Sequence, residues 1–254
     1  MKSLREQLTA EFLGTFALVF IGAGAVSVIG PFSQQFQPVG LIGIALAHAL
    51  VFAVMVSNLG HISGAHFNPA VTVGAWVAGK IETLRAGTYV LAQLAGAAAG
   101  AGLLQWALPK DLWEAGRLGV TTLNRPLGVN TGKGILIEAT LTFFLVLTVF
   151  AAAIDDRGVF SSIAGLSIGF VLGFDILMGG ILTGASMNPA RSFGPAAVSA
   201  DWQDFWVYVI GPVTGSVIAA SVYWISFLRG REVSAPRTET PIGGGPEEEL
   251  PEVE

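Results

Sequence analysis

The sequence predicts an all-α membrane protein: six transmembrane helices plus two re-entrant half-helices, arranged as an inverted repeat. Three observations predict it. The 254 residues are 52% hydrophobic and only 12% charged, about half the charge of an ordinary soluble domain, and mean hydropathy is +0.66. Six apolar stretches each approach the roughly 20 residues that cross a bilayer. Two shorter apolar pieces, each opened by Asn-Pro-Ala, recur 120 residues apart. The composition excludes a nucleic-acid binder and a disordered chain and argues against a soluble enzyme.

In chain order the long stretches run over about 8–30, 41–59, 86–108, 134–154, 162–182 and 205–228. The first is too long for a cleavable signal peptide and carries Glu11 inside it. The longest link, about 109–133, contains Trp113, Arg117, Asn124, Arg125 and Pro126. Residues 229–254 are rich in Pro, Gly and Glu and read as a disordered acidic tail. That tail holds three Arg and seven Glu, so most of the net charge of −5 lies there and says nothing of substrate. No cysteine is present, which removes disulfides, thiolate catalysis and Cys-ligated metals. Lys2, Arg5, Lys80, Arg85, Arg157, Arg229 and Arg231 fall on one side of a six-span chain, which makes that side, with both termini, cytoplasmic. Lys110, Arg117, Arg125 and Lys133 of the third link oppose this.

The short pieces, about 68–78 and 188–198, are copies. His66-Phe67-Asn68-Pro69-Ala70-Val71-Thr72-Val73-Gly74 aligns with Ser186-Met187-Asn188-Pro189-Ala190-Arg191-Ser192-Phe193-Gly194. Glu11 in the first span echoes Glu138 in the fourth, 127 residues on. Each half, about 8–108 and 134–228, therefore holds three spans and a half-helix, and an odd number of spans inverts the second half relative to the first. Asn is a strong N-cap and Pro suits the first helical position, so the half-helices should begin at Asn68 and Asn188. Inversion brings their N-termini together at mid-membrane, each with roughly half a positive charge. Non-helical backbone at that depth is tolerated only around a water-filled cavity. The carbonyls of Gly64, Ala65, His66, Gly184, Ala185 and Ser186 are its predicted lining, with the amides of Asn68 and Asn188 as donors.

Two such motifs in matched contexts resemble the aquaporin (major intrinsic protein) family, and the resemblance covers nearly everything from Glu11 to Leu228. It implies a right-handed six-helix bundle over residues 1–228, assembled as a homotetramer in lipid with one pore per subunit, without a cofactor and without catalysis. It marks Asn68, Pro69, Ala70, Asn188, Pro189 and Ala190 as the pore motifs, and His48, Ile176, Ala185 and Arg191 as the selectivity filter. That filter is most similar to those of plant tonoplast intrinsic proteins. Ile176 removes a polar wall and Ala185 leaves space, so a wider filter than that of a strict water channel is expected. Val209 stands where water channels often carry Trp, whereas Ser192, Ala196 and Tyr208 fit them.

Other polar residues have plainer readings. Glu11 and Glu138 are expected to hold the backbone of the half-helix loops, and Gln93 to pack between helices. His61 and His66 lack a third ligand or carboxylate, which argues against a metal. Asp175 should point away from the pore, toward Arg117, Arg125 or a subunit contact. Gly96/Gly100, Gly165/Gly169/Gly173 and Gly211/Gly215 have the spacing of close helix crossings, and Trp106, Trp113, Trp202, Trp206 and Trp224 that of an interfacial belt.

The function expected is a passive channel for water and small neutral solutes such as ammonia or hydrogen peroxide, with protons and ions excluded. A glycerol/polyol or ammonia facilitator stays open, as does an ion-coupled secondary transporter, for which Glu11 and Glu138 are the symmetric candidates. The short-looped, Ala/Gly-rich chain suggests a bacterial inner membrane.

Overall fold

A computed structural model describes residues 2–30, 37–155, 157 and 163–229. Of the predicted tail only Arg229 falls within them; 230–254 lie outside the described residues. Six helices are long and apolar enough to cross a membrane: α1 Leu4–Ile29, α2 Gln37–Ser63, α4 Thr83–Ala107, α6 Thr131–Ile154, α7 Ala164–Thr183 and α9 Val207–Leu228. Between them lie the half-helices α3 Pro69–Val77 and α8 Pro189–Ser199 and a short external helix, α5 Lys110–Ala115. No strand occurs among the described residues.

The helix ends follow from local chemistry. α1 starts before the apolar run because Ser3 and Glu6 form a capping box: Ser3 Oγ accepts from Glu6 N (3.2 Å) and Ser3 N donates to Glu6 Oε2 (2.6 Å), satisfying two amides that a helix start leaves open. Asn68 and Asn188 cap the half-helices as predicted, each with Pro at the first helical position.

Packing exchanges the half-helices between the halves. α3 of the first half lies against α9 of the second, and α8 of the second against α4 of the first. Matched small residues permit both approaches. A Cβ on Gly74 would collide with Ser216 Oγ, and one on Gly194 with the Ala97 carbonyl oxygen. Ser216 Oγ donates to Ala70 O at 2.6 Å. The predicted close crossings are present. Gly96 and Gly100 admit the carbonyls of Phe12 and Phe16 from α1, Gly165 and Gly169 those of Ala53 and Ala49 from α2, and Gly215 that of Ala139 from α6. Exposed apolar rows Ile42, Leu46, Leu50, Val54 and Leu166, Phe170, Phe174, Met178 clothe the outside of α2 and α7.

One expected pairing is corrected. Arg117 pairs with Asp201 and Arg125 with Asp204, the latter at 2.5 Å, so neither reaches Asp175. Asp175 is 1% exposed, and its Oδ2 has no hydrogen-bond partner. Both arginines of the third link are engaged by acids that follow α8.

Candidate pore and selectivity filter

Both loops that precede the half-helices adopt the same strained path. Gly64, Ala65 and Phe67 have φ of 90°, 51° and 50°, and Gly184, Ala185 and Met187 have 83°, 44° and 53°. Left-handed backbone at Ala, Phe or Met costs energy and persists only where the surroundings hold it. A buried carboxylate holds it in each half. Glu11 Oε1 accepts from Ser63 Oγ (2.6 Å) and His66 N (3.0 Å), and its Oε2 from Phe67 N (2.7 Å) and Gln93 Nε2 (2.8 Å). Glu138 Oε1 accepts from Thr183 Oγ1 (2.6 Å) and Ser186 N (3.0 Å), and its Oε2 from Met187 N (2.7 Å). These are the predicted loop-holding carboxylates, and their oxygens are occupied.

A tyrosine repeats the pattern. Tyr89 OH donates to Ser63 O (2.9 Å) and Tyr208 OH to Thr183 O (2.6 Å), fixing the last turn of α2 and of α7. The alignment Tyr89-Val90-Leu91-Ala92-Gln93 with Tyr208-Val209-Ile210-Gly211-Pro212 would have revealed the pair. With amides 66, 67, 186 and 187 turned to the two Glu, the carbonyls of residues 64–66 and 184–186 accept from no protein donor among the described residues.

The two Asn meet across the fold. Asn68 Oδ1 accepts from Ala70 N (2.8 Å), and Nδ2 donates to Met187 O (2.8 Å). Asn188 Oδ1 accepts from Ala190 N (2.9 Å) and Arg191 N (3.2 Å), and its Nδ2 donates to Phe67 O (2.9 Å). Each Asn thus caps its own half-helix and ties it to the opposite loop, which sets the two helix N-termini beside each other. Each Asn Nδ2 makes one hydrogen bond, so one of its two protons is without a partner among the described residues.

The sequence-predicted filter residues are all buried: His48 4%, Ile176 2%, Ala185 3% and Arg191 3% exposed. Arg191 Nη1 donates to Gly119 O at 2.6 Å. A Cβ on Gly179 would stand 3.3 Å from the Ala185 Cβ, so the loop folds Ala185 back against the end of α7. The third link, read only as a basic loop, is in fact a strap across this site. Thr121 Oγ1, Ser192 Oγ and Ser186 Oγ form a hydroxyl chain with steps of 2.7 and 2.6 Å. Asn124 N and Nδ2 both donate, at 2.9 Å, to carbonyls at the end of α7. Nothing in the local sequence marks Gly119 or Thr121, because what they contact lies some 70 residues away.

The family sequence model described as "Major intrinsic protein" matches residues 1–223. The chain belongs to this family. Members of the Major intrinsic protein family are channels, not enzymes. Among relatives, Aquaporin TIP1-2 of Zea mays is 44% identical over 225 residues, covering 87% of this chain and 86% of the relative. A probable aquaporin of TIP type from Medicago truncatula is 41% identical, covering 91% and 90%. The X-ray structure of the aquaglyceroporin from Plasmodium falciparum superposes with a TM-score of 0.73 at 25% identity, over 87% of this chain and 96% of that one. The fold is therefore that of an integral, multi-pass Major intrinsic protein channel. The TIP-type relatives are plant proteins, and the bacterial inner membrane expected from the sequence finds no support in them.

Proposed function

We propose that this Major intrinsic protein is a passive channel for water that also admits small neutral solutes such as ammonia and hydrogen peroxide, and excludes protons and ions. The observation that carries the reading is the reciprocal lock of Asn68 and Asn188. It places two positive helix ends together and leaves one donor on each Asn for a passing molecule. The unpartnered carbonyls of residues 64–66 and 184–186 supply acceptors, so a neutral hydrogen-bonding molecule exchanges partners while a cation meets two helix N-termini and Arg191. His48 Nδ1 lies 2.9 Å from Ile44 O. A carbonyl only accepts, so Nδ1 carries a proton, and Nε2 is the nitrogen that accepts when the ring is neutral. Ile176 and Ala185 complete a filter with one acceptor, one cation and two apolar walls. Their small apolar surface favours, as the second reading, a facilitator of glycerol or ammonia. Proton coupling through Glu11 and Glu138 is disfavoured, because loop donors fill both carboxylates.

Residues 1–228 act as one channel domain with both termini cytoplasmic. The apolar rows on α2 and α7 face lipid and neighbouring subunits of a homotetramer. Light-scattering stopped flow on reconstituted vesicles tests the reading with water, glycerol, urea and methylammonium, with and without a pH gradient. Water flux should exceed that of protein-free vesicles without depending on the gradient; flux equal to theirs would sink the proposal. His48→Phe with Ile176→His should narrow the solute range and spare water. Unchanged glycerol and ammonia flux in that variant would refute the filter assignment.

A further inference from the structure

Span α1 is not uniformly wound. Leu18–Ala23 forms a π-helical turn between α-helical segments Leu4–Ala17 and Gly24–Ile29. Such turns widen the backbone by one residue and leave carbonyls imperfectly paired. Here Ser27 Oγ donates to Ala23 O at 3.0 Å. α6 of the second half also carries a π-helical turn, Phe150–Ile154, but further along the repeat, since it is ordinary α-helix through Val149. The two halves thus place their π-turns at different points along the span, and the earlier placement in α1 needs a reason particular to that half.

The reason lies in what the turn touches. A Cβ on Gly22 would stand 2.6 Å from both Cδ2 and Nε2 of His48, a separation real Cβ atoms do not adopt. The opposite side of the turn is fixed. A Cβ on Gly119 would stand 2.7 Å from Ala23 O, Leu118 beside it is fully buried against Val19 and Ala23, and Gly119 carries the carbonyl that receives Arg191 Nη1. Arg117, Leu118 and Gly119 have φ of 48°, 50° and 73°, so the strap follows a strained path to reach the turn. Gly22 therefore cannot retreat from the ring without disturbing the segment that holds Arg191.

We infer that Gly22, presented by the π-turn of α1, is a specificity-determining residue: its bare Cα is the seat that sets where the His48 ring stands in the filter. The inference rests on the assignment of His48 to the filter. With Gly22, the ring keeps Nδ1 on the Ile44 carbonyl and Nε2 free for the permeant. With any larger residue, it is driven off that position and the filter loses its acceptor geometry.

The test is a double-mutant cycle of Gly22→Ala and His48→Ala, read as water and glycerol flux in vesicles. Gly22→Ala alone should lower water flux roughly tenfold, as overpacking a filled site predicts, and glycerol flux at least as much. On a His48→Ala background the same substitution should change neither flux. If Gly22→Ala matches the unsubstituted chain, or its defect persists without the ring, the inference is overturned. If Gly22→Ala fails to assemble, the double variant decides. Assembly with the fluxes of His48→Ala supports the collision, and renewed failure overturns it. Failure of the underlying reading is distinct: His48→Ala alone would then leave the ratio of glycerol to water unchanged.

Discussion

The two halves of the chain build one loop twice and furnish it differently. Ser63 and Thr183, Tyr89 and Tyr208, Glu11 and Glu138, Asn68 and Asn188 occupy the same places and make the same bonds. The departures cluster. Where the first half has Val71, the second has Arg191. Where His66 Nδ1 meets Thr72 Oγ1 at 3.1 Å, Ser186 meets Ser192 at 2.6 Å and joins the strap through Thr121. Where Gln93 gives Glu11 an extra hydrogen bond, Pro212 stands in α9 with no donor to give Glu138. The shared residues hold the strained backbone that any such pore requires. The unshared ones load one end with charge and hydroxyls, and that is the end that carries the proposed filter.

The largest expected effect comes from removing what the halves share. Glu11→Ala and Glu138→Ala each strand two buried backbone amides and a hydroxyl. Each unsatisfied buried group costs about 1–3 kcal/mol, so both variants should fail to yield a stable protein in detergent, as judged by size-exclusion profile and thermal inactivation. Recovery of one variant at normal yield would show that the halves are not equivalent in architecture.

A smaller effect sharpens a difference. Gln93→Leu makes the first loop resemble the second by deleting the amide that reaches both Glu11 Oε2 and Thr72 Oγ1, at 2.8 and 3.0 Å. It also removes Gln93 Oε1, a buried oxygen without a partner. The net cost should be modest, about 1 kcal/mol, seen as a small fall in thermal midpoint with water flux retained. A collapse as severe as that of Glu11→Ala would mean that the first loop depends on its additional bond in a way the second does not.

How much of this was legible in the sequence follows from range. The spans, the half-helices and their caps depend on hydropathy and on residues within four positions of each other, and they stand where the sequence put them, within a few residues. The loop-holding role of Glu11 and Glu138 was legible because the repeat displays it twice. The pairing offered for Asp175 with Arg117 or Arg125 rested on charge alone, while Asp201 and Asp204 lie nearer to those arginines in the fold. The strap from Arg117 to Asn124 and the π-turn beneath His48 were not legible. Their partners are distant in sequence, and no periodicity reports them.

The smallest expected effect also separates the halves, at their outer ends. Where α6 stops, Asp155 accepts from Arg157 and from Tyr223 OH at 3.0 Å, and Arg157 reaches the Phe227 carbonyl at 3.1 Å. The places of Asp155 and Tyr223 are taken in the first half by Val28 and Leu104, so among the described residues the ionic knot belongs to the second half. Hydrogen bonds from Arg157, and to a lesser degree from Tyr223, hold the Asp155 carboxyl down to about 2, against roughly 4 in an unfolded chain. A depressed carboxyl stabilises the folded form fully above its unfolded value, and that contribution is lost as pH falls through the folded one. The thermal midpoint of the unsubstituted chain should therefore exceed that of Asp155→Asn at pH 6, and the gap should close between about pH 4 and pH 2. A gap independent of pH would show that Asp155 acts through shape and not charge, leaving the ends of the two halves alike in kind.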